Sequence, residues 1–90
     1  MSKVVEIIIF VTRPPCSVCN RAEKVAKKVQ KKFGEDKVKI RTPWCLDEEA
    51  KKYDVKLAPT VIVGNEIISE GEVPYRQVLE EVVKENLEAE

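Results

Sequence analysis

The sequence predicts an α/β fold with element order β-α-β-α-β-β-α, and three observations carry that reading. A β-branched apolar run without alternation, Val4 to Val11, with Glu6 its one charged residue, lies near the start of the sequence. An apolar stripe at three- and four-residue steps follows within one loop's length, marking an amphipathic helix. Two short apolar runs then flank Gly64-Asn65, a pair suited to a tight hairpin turn. Together they spell strand, helix, strand, short helix, hairpin and terminal helix in a four-stranded mixed sheet.

The run Val4 to Val11 lacks polar alternation, as a strand covered on both faces requires, so it is expected at the centre of the sheet. Thr12-Arg13-Pro14-Pro15 ends it, because neither proline can donate to a ladder. Cys19, Ala22, Val25, Ala26, Val29 and Phe33 then mark one face of a helix stopped at Gly34. Lys37 to Arg41 alternates polar and apolar and carries lysines that discourage further pairing, which reads as an edge strand. The short return makes the crossover right-handed, so both strands run parallel and end on a common rim. Asp47 to Tyr53 forms a short helix with an acidic start. Thr60-Val61-Ile62-Val63 and Glu66-Ile67-Ile68-Ser69 are the antiparallel strands. Behind Pro74, expected in a first turn, Tyr75, Val78, Leu79, Val82, Val83 and Leu87 repeat at helical spacing.

Ninety residues without linker, repeat or low-complexity segment are read as one domain spanning 1–90. The 16 Lys+Arg balance the 16 Asp+Glu, so bulk charge gives no reason to expect a nucleic acid or an anionic membrane as partner. The apolar opening is too short for a signal-peptide core or a membrane span, and a cytoplasmic location is expected. Cysteines there stay reduced unless they have chemistry to perform. The chain has 3 Cys and no His, so a static disulfide framework is disfavoured by the odd count.

Cys16-Ser17-Val18-Cys19 starts the first helix. Thiols three residues apart have the spacing to close a small disulfide ring and reopen it. Unpaired N–H groups at a helix start favour the thiolate, which is the reactive form. The pair is also compatible with two small structural thiols or with half of a metal site.

The element order, Cys-x-x-Cys at the first strand-to-helix junction, and Leu57-Ala58-Pro59-Thr60 just before the third strand together resemble the thioredoxin/glutaredoxin superfamily. The resemblance covers roughly Val4 to Leu87. Val11-Thr12-Arg13-Pro14-Pro15-Cys16 is similar to the approach to a glutaredoxin active site, and Ala58-Pro59-Thr60 is similar to the thioredoxin segment that holds a cis proline. It implies a protein-disulfide oxidoreductase serving electron transport and cell redox homeostasis, its only cofactor being its own Cys16-Cys19 disulfide. Cys16, at the exposed helix start, would attack; Cys19, one turn in, would resolve. Pro59 would be cis, leaving the Ala58 backbone available to a substrate peptide. Arg13 would lower the Cys16 pKa by its charge, while Arg21 is read first as surface solubility.

Departures from both relatives set further expectations. Thioredoxins carry a buried acid in the first strand and a Trp just before the first cysteine; here those positions hold Phe10 and Pro15. Ser69-Glu70-Gly71-Glu72 replaces the glutaredoxin turn that holds glutathione, and its carboxylates predict weak or no glutathione binding. The implied partners are disulfide-containing proteins and a thioredoxin-reductase-like electron donor, with the chain acting as a monomer. Cys45, on the loop after the second strand, is a candidate second resolving thiol, oxidation sensor or bare loop cysteine. Trp44 beside it is either a lid on the disulfide or an anchor on the core. The alternative function is a soft-metal module using Cys16, Cys19 and Cys45, disfavoured because a structural zinc site wants four ligands and there is no His.

Overall fold

Apolar β-branched residues separated by amphipathic helices bury themselves as a sheet between helical layers, and the computed structural model has that arrangement. It describes residues 4–12, 14, 16–64 and 66–88. The elements are β1 (Val5–Phe10), α1 (Ser17–Phe33), β2 (Val38–Arg41), α2 (Glu48–Lys52), β3 (Thr60–Val63), β4 (Glu66–Glu70) and α3 (Arg76–Glu88). The strand order is β2-β1-β3-β4. β1 pairs parallel with β2, Val5 opposite Val38, and antiparallel with β3, Phe10 opposite Thr60. β3 and β4 run antiparallel, with a register shift between Val61 and Ile62.

The period of two along β1 divides the core into two clusters. Ile7, Ile9 and Val11 meet Cys19, Ala22, Ala26 and Val29 of α1 and Leu79 and Val83 of α3. Ile8 and Phe10 face the other way, onto Ile62 and Ala50 of α2, with Cys45, Tyr53 and Val55 packed against them. The sheet therefore lies between α1 and α3 on one side and α2 on the other. Burying each Ile, Val or Leu contributes about 1.5–3 kcal/mol, which makes these two clusters the main support of the fold.

Helix boundaries follow local chemistry. α1 ends where Gly34 takes φ 106 and donates its N–H to the Gln30 carbonyl at 2.8 Å. Glu48 and Glu49 in the first turn of α2 and Lys51 and Lys52 in its last turn complement the helix dipole. α3 begins at Arg76, so Pro74 lies ahead of the helix and not in its first turn. Tyr75 is 81% exposed and stands outside the apolar stripe, which Leu79 and Val83 carry into the core. The hairpin turn includes Gly64 at φ 54, in the left-handed region; Asn65 lies outside the described residues.

The sheet edge at β2 is closed by charge. Arg41 donates from Nη1 to Glu6 and to Glu49, each at 2.9 Å, and from Nη2 to the second Glu49 oxygen. These bonds, to Glu49 first and Glu6 second, hold the guanidinium above its ordinary pKa. Lys32 on α1 reaches Glu80 on α3 at 3.4 Å. Among the described residues, no helix is long and apolar enough to cross a membrane.

Candidate functional site

The parallel β1–β2 pair directs both strands toward one rim, and β3 begins there. Past β1, the chain stays tied to the loop after β2: Val11 N donates to Pro43 O at 3.0 Å, and Cys45 N donates to Val11 O at 2.9 Å. Val11 and Trp44 form a parallel bridge. This rim carries Thr12, Cys16, Trp44, Cys45 and the approach to β3.

Cys16 is the N-cap of α1, with extended backbone at φ −80 and ψ 172. Its sulfur accepts from Cys19 N at 3.4 Å, and its carbonyl accepts from Asn20 N at 3.0 Å. One helical turn brings the two sulfurs 3.1 Å apart in a thiol–thiol hydrogen bond. Cys16 is exposed, whereas Cys19 is buried among Ile7, Ile9 and Ala22. The Cys16 thiol is held below its ordinary pKa, first by the Cys19 thiol, which donates to it as it ionises, and then by the Cys19 N–H.

The Ala58-Pro59 peptide is cis. Ala58 packs against the cluster that contains Cys19 and Val11. The Pro59 carbonyl accepts from Gly71 N at 2.7 Å, and Thr60 Oγ1 donates to Leu57 O at 2.6 Å. Gly71, at φ 72, thereby draws the end of β4, Ser69-Glu70, and the turn after it against the segment leading into β3.

Cys45 is brought to the rim but not to the pair. Its side chain joins the Ile8 and Phe10 cluster, on the face of the sheet opposite Cys19. The bond from Cys45 N to Val11 O fixes the loop alongside β1, and the side chain turns to the α2 side. Among the described residues, no group of three or more His, Cys, Asp or Glu side chains is placed to hold a metal ion. The trio Cys16, Cys19 and Cys45 is thus not assembled as a metal site. Trp44 is 40% exposed, its backbone held by the bridge to Val11. Arg13 and Pro15 lie outside the described residues.

Thr12 was not singled out by sequence reasoning. Its hydroxyl lies 3.8 Å from Cys19 Sγ and donates to Pro14 O at 3.0 Å. The available clue was position: the one hydroxyl between the central strand and the first cysteine.

Residues 5–84 match the family model of the thioredoxin domain. The chain belongs to the thioredoxin domain family, and its fold and adjacent Cys16–Cys19 pair agree with that membership. Among solved structures, a malarial protein superposes with a TM-score of 0.69 at 21% identity, covering 94% of this chain and 99% of the other. Thioredoxin-2 of the malaria parasite, described as a component of the protein secretion machinery, gives a TM-score of 0.69 at 20% identity, covering 94% and 85%. No curated protein matches the chain. At these identities the two structures establish the shared fold.

Proposed function

We propose that this protein is a thiol-disulfide oxidoreductase that reduces protein disulfides by dithiol exchange. The observation that supports this most directly is the unequal pair: an exposed, acidified Cys16 hydrogen-bonded at 3.1 Å to a buried Cys19. The Cys16 thiolate attacks a substrate disulfide and forms a mixed disulfide, releasing one substrate thiol. Cys19 then attacks Cys16 Sγ, the substrate sulfur leaves with the electron pair and takes up a proton, and the Cys16–Cys19 disulfide remains. Recharging requires a dithiol donor such as a reductase of the thioredoxin-reductase class.

Substrate recognition falls to the rim. Among the described residues the Ala58 N–H and C=O have no hydrogen-bond partner, leaving them for an extended peptide that binds through its main chain. Exposed Glu70, ending β4, and Glu72, in the turn held to Pro59 by Gly71, oppose an anionic tripeptide, so glutathione binds weakly. Calorimetric titration with glutathione is expected to show no micromolar affinity, and finding one contradicts this selectivity. The role fits electron transport and redox homeostasis in a reducing cytoplasm.

The test is to equilibrate the native protein in defined redox buffers, alkylate it, and locate modified cysteines by mass. A reversible two-electron disulfide between Cys16 and Cys19 supports the reading. Continued modification of both thiols across the whole potential range contradicts it.

A further inference from the structure

Resolution of a mixed disulfide demands that Cys19 lose its proton, and Cys19 is buried at 1% exposure. Among the described residues, the polar side-chain atoms that reach its sulfur are Cys16 Sγ at 3.1 Å and Thr12 Oγ1 at 3.8 Å. Once Cys16 is joined to substrate, its sulfur carries no charge and cannot take the proton. A buried carboxylate is not at hand either: among the described residues, Thr60 and Ser69 are the buried polar ones, and the side chains that β1 and its extension turn toward Cys19 are Ile7, Ile9 and Val11. Thr12 is half-buried and reaches solvent, lining an open cavity of about 270 Å³ with Cys45, Leu46, Val55, Lys56, Leu57 and Ala58.

Resting on the oxidoreductase reading above, we propose that the Thr12 hydroxyl is the group through which Cys19 loses its proton as it resolves the mixed disulfide. In the resting protein Thr12 Oγ1 donates to Pro14 O at 3.0 Å, which leaves its lone pairs open to the Cys19 S–H. When Cys19 attacks, a bond forms between Cys19 Sγ and Cys16 Sγ. The bond between Cys16 Sγ and the substrate sulfur breaks, and the substrate leaves as thiolate to be protonated by water. The Cys19 proton passes to Thr12 Oγ1, whose own proton turns from Pro14 O to water in the cavity. Electrons balance as one dithiol oxidised and one disulfide reduced. Among the described residues, the titratable groups along this path are Cys16 on α1, in contact with Cys19, and Cys45 and Lys56 at the cavity wall.

A two-phase thiol assay reads the resolving step alone. In a Cys45→Ser background, dithiobis-nitrobenzoate first modifies Cys16 and releases one coloured thiolate; attack by Cys19 then releases the second. Thr12→Val, which keeps the shape and removes the hydroxyl, is expected to slow the second phase about tenfold at neutral pH, the loss typical of one hydrogen bond to a charged group. Its pH midpoint moves upward, and Thr12→Ser restores the rate. Equal second phases in Thr12→Val and the Thr12 protein overturn the proposal, as does a folded Thr12→Ser as slow as Thr12→Val. Failure of the Thr12 protein itself to release a second equivalent contradicts exchange at Cys16–Cys19, and the proposal with it.

Discussion

Cys19 and Cys45 lie on opposite faces of the same sheet: Cys19 packs with Ile7, Ile9 and Val11, and Cys45 packs with Ile8 and Phe10. Proximity along the rim therefore does not give three equivalent thiols. Cys45→Ser is expected to leave the Cys16–Cys19 disulfide and its midpoint potential unchanged. Mass mapping of the oxidised protein checks this, and a disulfide involving Cys45 contradicts it.

The lowered pKa of Cys16 depends first on the Cys19 thiol, then on the Cys19 N–H. Cys19→Ala removes the side-chain partner and keeps the backbone donor. The midpoint of Cys16 alkylation with pH is expected to rise toward that of an ordinary thiol, without reaching it. Because the folded state favours the thiolate, the reduced fold carries this contribution above the unfolded thiol pKa and loses it as pH falls through the lowered folded value. Alkylation rates measured against pH in both proteins give the shift directly.

Phe10 has no exposed surface and stands 6.0 Å from the Tyr53 ring, between centroids, in a tilted pair. It fills the α2 side of the sheet with Ile8, Ile62 and Ala50. Phe10→Ala is expected to lower stability by about 3–5 kcal/mol through lost burial and the cavity left behind. Urea unfolding followed by circular dichroism measures the change.

Arg41 joins Glu6 of β1 to Glu49 of α2 across an exposed edge. Water screens this cluster, so Arg41→Gln is expected to cost only about 0.5–1 kcal/mol, less in high salt. Thermal unfolding at low and high ionic strength separates the two conditions.

Much of the architecture was written in the one-dimensional pattern. The β-branched run marked β1, the lysines marked β2 as an edge, and the Cys19-to-Phe33 stripe marked α1, because burial on one or two faces imposes a period on sequence. The cysteine pair was equally visible, since three-residue spacing at a helix start fixes geometry locally. The position of Cys45 was not: which face of a sheet a loop residue takes depends on a backbone bond to Val11, formed across 34 residues of chain from Cys45 back to Val11. Tyr75 and Val78 followed the helical period yet are exposed, because the face that α3 buries is centred on Leu79 and Val83 and is narrower than the apolar pattern. Thr12 escaped notice because its role depends on how β1 approaches α1, and no spacing rule encodes that contact.

The division of labour between attacking and resolving thiols is tested most directly by trapping. Cys19→Ser and Cys16→Ser proteins are each incubated with a disulfide-containing protein, quenched with alkylating agent, and weighed intact. Cys19→Ser is expected to accumulate a mixed disulfide through Cys16, while Cys16→Ser forms none and has no reductase turnover. Equal trapping in both variants, or equal turnover, would contradict the assignment.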